Sequence, residues 1–94
     1  MTDVKGITLP VRPRILIVDD TPLNIHLLAQ SLHADYDVMI SPSGRHALGL
    51  LQREKPDLII LDIMMPEMSG YDVCRVIKDD PANGHIPIIF VSAR

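Results

Sequence analysis

At 94 residues, 47% hydrophobic and 22% charged, the chain has the balance of one compact domain and not of a disordered tail, with a core small enough for every element to matter. Net charge is −3 and the nine lysines and arginines are scattered without aromatic interleaving, so the electrostatic footprint of direct nucleic-acid binding is missing. The single cysteine, Cys74, rules out an internal disulfide, and no N-terminal apolar run is long enough for a signal peptide or a membrane span, so a reducing, cytoplasmic setting is expected.

Residues 1–13 carry Gly6, Pro10 and Pro13 with weak patterning and read as an extended leader or linker, which leaves 14–94 as the domain. Apolar runs at 14–18 (RILIV), 36–41 (YDVMIS), 57–61 (DLIIL) and 86–92 (IPIIFVS) are continuous instead of alternating, as suits strands covered on both faces of a parallel sheet. Between the first two, 22–33 predicts a helix with Thr21 at the N-cap, Pro22 in the first turn and Leu23, Leu27 and Leu28 near one face. A second helix is expected over 43–54, capped by Ser43, burying Ala47, Leu48 and Leu51, and barred by Pro56 from passing Lys55. The third, over 69–80, opens on a capping-box spacing of Ser69 and Asp72, buries Val73, Val76 and Ile77, and stops before Pro81.

The order β-α-β-α-β-α-β makes an α/β fold with a doubly wound parallel sheet, whose ligands bind beyond the carboxyl ends of the strands. Asp19 and Asp20 follow the first run, Asp62 the third, and Ser92 ends the fourth. Two carboxylates ~4 Å apart repel by about 4 kcal/mol at an effective dielectric near 20, so the cluster needs a cation or a proton, and the cation explains it better. Hard oxygens without His or Cys favour Mg²⁺, with Mn²⁺ as the other choice. A bound Mg²⁺ keeps exchangeable waters that phosphate oxygens can replace. An ordinary aspartate, with a pKa of about 3.9, is ionised at pH 7, so Asp62 can attack phosphorus without a general base and form an aspartyl phosphate. Ser92 can donate its hydroxyl to that phosphoryl group, Ala93 leaves room for it, and the loop after Asp62 brings a backbone carbonyl near Met64 to the metal.

The stretches ILIVDDTPLN, PDLIILDIMMPEMSGYDVC and IPIIFVSA, in that order across 14–94, resemble the receiver domain of two-component response regulators. The resemblance implies a flavodoxin-like receiver fold of five strands and five helices, here without the last helix, strand and helix. It also implies that Asp62 is the phosphoacceptor, receiving its group from a histidine kinase or phosphotransfer protein, and that a fused or partner output domain is switched. Asp20 directly and Asp19 through water would help hold Mg²⁺, with Asp62 and the Met64 carbonyl as further ligands, and Ser92 matches the Ser/Thr switch position. The family's phosphate-binding lysine has no counterpart after a fourth strand, since the lysines are Lys5, Lys55 and Lys78. A bare apolar fourth strand is then an edge expected to drive self-association.

Competing readings are a receiver-like module that dimerises without being phosphorylated, and a Mg²⁺-dependent phosphohydrolase. The latter resembles haloacid-dehalogenase-like enzymes, whose Asp-x-Asp spacing is not met, because Thr21 stands two positions after Asp19. Taken alone, Asp19 and Asp20 fit a solvated acidic turn ahead of a helix. The side chains of Met64, Met65 and Met68 read as adaptable packing, Cys74 as a buried helix residue, and Asp79 and Asp80 as solvated charge. The four histidines fall away from the strand ends and read as surface or packing residues.

Overall fold

The computed structural model describes residues 12–92. The elements are β1 (Arg14–Val18), α1 (Pro22–Leu32), β2 (Asp37–Ser41), α2 (Gly44–Leu50), β3 (Leu58–Asp62), α3 (Gly70–Asp79) and β4 (Ile88–Val91). All pairings are parallel and the sheet order is β2-β1-β3-β4, so the chain reverses direction across the sheet between β1 and β3. That reversal opens the crevice in which such sheets bind ligands.

Successive residues of β1 serve opposite faces, which is why its apolar run is unbroken. Leu16 and Val18 join Ile59 and Leu61 beneath Ala47 of α2, Leu51 at its C-cap, and Val73 and Ile77 of α3. On the other face Ile15, Ile17 and Ile60 meet Ile25, Leu28, Ala29 and Leu32 of α1. Each of the fully buried Leu and Ile side chains contributes roughly 1.5–3 kcal/mol over its exposed state. No described helix is long and apolar enough to cross a membrane.

Several expected details are corrected. Leu23 and Leu27 are 63% and 53% exposed, and the packing face of α1 is instead Ile25, Leu28, Ala29 and Leu32. These four recur at i, i+3, i+4 and i+7, while Leu23 and Leu27 share the other side of the helix with Asn24, His26, Gln30 and Ser31. In α3, Val76 is 47% exposed while Val73 and Ile77 are buried, and Cys74 is only half-buried against the core. Helix α2 ends at Leu50, short of Glu54, because Gln52 N–H bonds Gly49 O and Arg53 N–H bonds Leu50 O, three-residue steps that tighten the chain before Pro56. Thr21 holds the N-cap of α1 with Pro22 following, but its side chain makes no cap hydrogen bond.

Strand shifts are small and matter at one place. The third strand covers Leu58–Asp62, so Asp62 is its last residue and not the first of a loop. Ile86 belongs to the core ahead of β4, and Ser92 follows it. Asp80, expected to be solvated charge, organises the turn before β4: its carboxylate accepts Ala82 N–H at 2.8 Å and Asn83 Nδ2 at 3.3 Å, and Asn83 is buried.

Candidate functional site

Register brings the acidic residues together. Val18 is level with Leu61, which leaves Asp19 and Asp20 just past the end of β1 beside Asp62 at the end of β3. One carboxylate oxygen from each of the three lies within 4.8 Å of the others. Asp19 and Asp62 are each 2% exposed, and Asp20 is half-buried. Like charges this close and this dry repel strongly, so the fold holds them together at a cost that something else in the folded chain or its ligand must offset.

Local hydrogen bonds fix two of the three. Asp19 Oδ1 accepts the backbone N–H of Thr21 at 2.8 Å, and Asp19 Oδ2 accepts Asn24 Nδ2 at 3.3 Å, both donors coming from the start of α1. Its own backbone N–H reaches Ser41 O at the end of β2, at 3.1 Å. Asp62 Oδ1 accepts Met64 N–H at 3.1 Å, so the chain following β3 folds back onto the carboxylate.

That fold-back depends on a tight loop. Met68 N–H bonds Pro66 O at 2.7 Å across Glu67, whose φ is 68°, the left-handed geometry of a γ-turn. Gly70 N–H then bonds Ile63 O at 2.9 Å, and a Cβ on Gly70 would stand 2.3 Å from Asp62 O and 2.9 Å from Ile63 Cα. Only glycine lets α3 start this close to the backbone of the site. The start itself is a capping box: Ser69 Oγ accepts Asp72 N–H and Asp72 Oδ2 accepts Ser69 N–H, both at 3.2 Å. The bond from the Ser69 backbone, helped by the Ser69 hydroxyl and Arg75, holds the Asp72 carboxyl below its ordinary pKa.

Ser92 is exposed and lies along a groove with Asp19, Asn24, Leu27, Leu28 and Val91, on the side of the cluster nearest α1. Val91 is level with Asp62, and Ile63 N–H bonds Val91 O at 3.1 Å, which ties the end of β4 to the loop after Asp62. A second groove reaches Asp20 from the other side, between Pro42–Arg45 and Met65–Met68. Met64 has an exposed side chain and its backbone beside Asp62. Ala93 lies outside the described residues, as do 1–11 of the leader.

Sequence reasoning did not single out Asn24, because one asparagine in a first helical turn makes no pattern, and only the fold shows it reaching back to Asp19. The two described lysines lie elsewhere: Lys55 Nζ bonds Leu51 O and Asn83 Oδ1, and Lys78 Nζ bonds Gly84 O and Ile86 O. His46 packs against the end of β2, with Nδ1 2.7 Å from Ser41 Oγ.

The donor set fits Mg²⁺. Octahedral Mg²⁺ with bonds of about 2.0–2.1 Å places its ligand oxygens roughly 2.9 Å apart when adjacent and about 4.1 Å when opposite. Oxygens within 4.8 Å of one another are near that spacing. Three carboxylates carry more charge than a divalent ion cancels, and an all-oxygen set gives no preference to zinc.

The family model described as the response regulator receiver domain matches residues 15–94. The chain is 47% identical over 81 residues to response regulator PleD of Caulobacter vibrioides, covering 85% of this chain and 18% of PleD. It therefore spans about a fifth of that relative's length. Among solved structures, the N-terminal domain of a response regulator receiver protein from Methanoculleus marisnigri aligns with a TM-score of 0.82 at 36% identity, over 86% of this chain and 67% of that one. The response regulator TrrA of Thermotoga maritima, solved in complex with Mg²⁺ and BeF, aligns with a TM-score of 0.78 at 34% identity, over 87% and 70% respectively.

Proposed function

The chain belongs to the response regulator receiver domain family, and from that premise we propose that Asp62 is the phosphoacceptor of this domain. The observation that carries the reading is the meeting of Asp19, Asp20 and Asp62, two of them buried, at the strand ends where the sheet order reverses. An Asp62 carboxylate oxygen attacks the phosphorus of a phosphohistidine on a histidine kinase or phosphotransfer protein. The O–P bond forms, the N–P bond breaks, and the imidazole nitrogen keeps the electron pair.

Asp19, Asp20, Asp62 and the Met64 carbonyl are the groups that would hold the metal ion. Mg²⁺, with Mn²⁺ as a substitute, supplies charge neutralisation for the phosphoryl oxygens when bound. Support comes from the all-oxygen donor set and from TrrA, whose structure contains Mg²⁺ and BeF. The Met64 N–H holds Asp62 Oδ1 and so orients the carboxylate toward the crevice. Ser92, in the groove beside Asp19, donates its hydroxyl to the phosphoryl group, and Ala93 leaves space for it. That movement shifts the balance between two surfaces read by an output domain. Residues 14–94 form the receiver portion, 1–13 are a leader, and the setting is cytoplasmic.

Intact-mass spectrometry after incubation with Mg²⁺ and acetyl phosphate tests the reading. One phosphoryl group is expected on the wild type and none on Asp62→Asn. A wild type that folds, binds Mg²⁺ and gains no mass overturns it.

A second reading, a receiver-like module that self-associates without phosphorylation, draws on two observations. Both described lysines are engaged away from the acidic cluster, and β4 is a sheet edge with Ile89 50% and Phe90 37% exposed. Sedimentation velocity that shows a monomer at every concentration overturns pairing through this edge.

A further inference from the structure

Asp19 is held by two donors from the start of α1, and one of them is a neutral side chain. A carboxylate offers about four lone-pair positions, and α1 supplies donors for two of them: Thr21 N–H on Oδ1 and Asn24 Nδ2 on Oδ2. Both donors come from the start of α1, and one Asp19 oxygen lies within 4.8 Å of oxygens of Asp20 and Asp62. Asn24 is also one of the residues lining the groove that leads to Ser92.

The choice of residue type is informative. A lysine here would bring a positive charge into the cluster and compete with a divalent cation for the same oxygens. An aspartate would donate nothing and add a fourth carboxylate. A leucine would suit the helix equally well but leave one oxygen of a 2%-exposed carboxylate without this donor. An amide donates a hydrogen bond while leaving the net charge of the site untouched.

We infer that Asn24 is a positioning residue for the cation site: it holds the Asp19 carboxylate in the one rotamer that turns its open lone pairs toward a divalent ion shared with Asp20 and Asp62. The inference rests on the reading of the cluster as a Mg²⁺ site and extends it to a residue outside the acidic set. Loss of the amide lets Asp19 swing, so ion binding must first restore its orientation, and affinity falls while the bound state keeps its chemistry.

The test is a Mg²⁺ titration followed by backbone amide chemical shifts, on the wild type, Asn24→Leu and Asn24→Gln, alongside thermal melts in EDTA. Asn24→Leu is expected to melt within a few degrees of the wild type yet bind Mg²⁺ about 5- to 20-fold more weakly, in line with losses of roughly 10- to 100-fold when groups orienting metal ligands are removed. Asn24→Gln, which keeps the donor on a longer arm, is expected to regain part of that loss. In acetyl phosphate labelling, the Asn24→Leu rate should fall at low Mg²⁺ and recover at saturating Mg²⁺. If Asn24→Leu does not fold, Asn24→Ser, whose hydroxyl is too short to reach Asp19, takes its place. Equal Mg²⁺ affinity in the wild type and in the folded donor-less variant overturns the inference alone. A wild type that binds no Mg²⁺ overturns the underlying reading of the cluster.

Discussion

The two ends of the sheet treat charge in opposite ways. Before the strands begin, charged groups are matched: Arg14 Nη2 pairs with Glu54 at 2.9 Å, Arg14 N–H bonds Asp57 at 2.8 Å, and Lys55 and Lys78 bond to nearby carbonyl or amide oxygens. Beyond the carboxyl ends, oxygens of three carboxylates gather within 4.8 Å, with the amides of Thr21 and Asn24 on Asp19 and that of Met64 on Asp62. In the first arrangement each of these charged groups has a partner. The second concentrates negative charge, which a bound divalent cation would neutralise.

The contrast breaks most completely at Asp62. Asp62→Asn is expected to abolish phosphoryl incorporation by intact mass, while stabilising the metal-free chain in urea unfolding by roughly 1–2 kcal/mol through relief of like-charge repulsion. A destabilised Asn variant in EDTA would mean that the repulsion is already relieved by the protein. Next comes the loop that seats this aspartate. Gly70→Ala places a Cβ 2.3 Å from Asp62 O, and a loss of about 3 kcal/mol in urea unfolding is expected, because backbone and not a flexible side chain must move.

Ser69→Ala removes half of the capping box and should cost about 1 kcal/mol. Its pH dependence has a definite sign. The Asp72 carboxyl is held below its ordinary pKa chiefly by the Ser69 backbone bond, so the stability it supplies is present above the ordinary value and lost as pH falls through the lowered one. Acid unfolding of Ser69→Ala should therefore show a shallower dependence across that window, and equal slopes would remove the Ser69 hydroxyl from the account. At the opposite end, Glu54→Gln breaks a pair whose side chains are each 38% exposed, with an expected loss of about 0.5 kcal/mol and no change in Mg²⁺ affinity.

Much of this contrast is legible in the sequence, for a physical reason. Strand runs such as 15–18 and 58–61 are apolar on both faces, and a carboxylate directly after them has nowhere to go but the strand end. The capping box at Ser69 is equally local. What escapes is set by tertiary packing. Leu23 and Leu27 look like core by residue type, but they share the side of α1 that carries Asn24, His26, Gln30 and Ser31, and the helix packs on the sheet with its other side. Asn24 and Asp80 act through hydrogen bonds between residues a few positions apart whose direction depends on where a helix starts or stops. Asp62 becomes part of β3 through its pairing with Val91, a long-range contact that propensity does not report.

The most direct test of the claim that the strand-end carboxylates are assembled for a divalent cation is the thermal unfolding of the wild type in Mg²⁺ against NaCl of equal ionic strength. At a Mg²⁺ concentration 100 times its Kd, binding to the folded state alone contributes about 2.7 kcal/mol, a rise of roughly 10–20 °C in Tm for a domain of this size. A Tm that does not distinguish Mg²⁺ from NaCl would contradict the account.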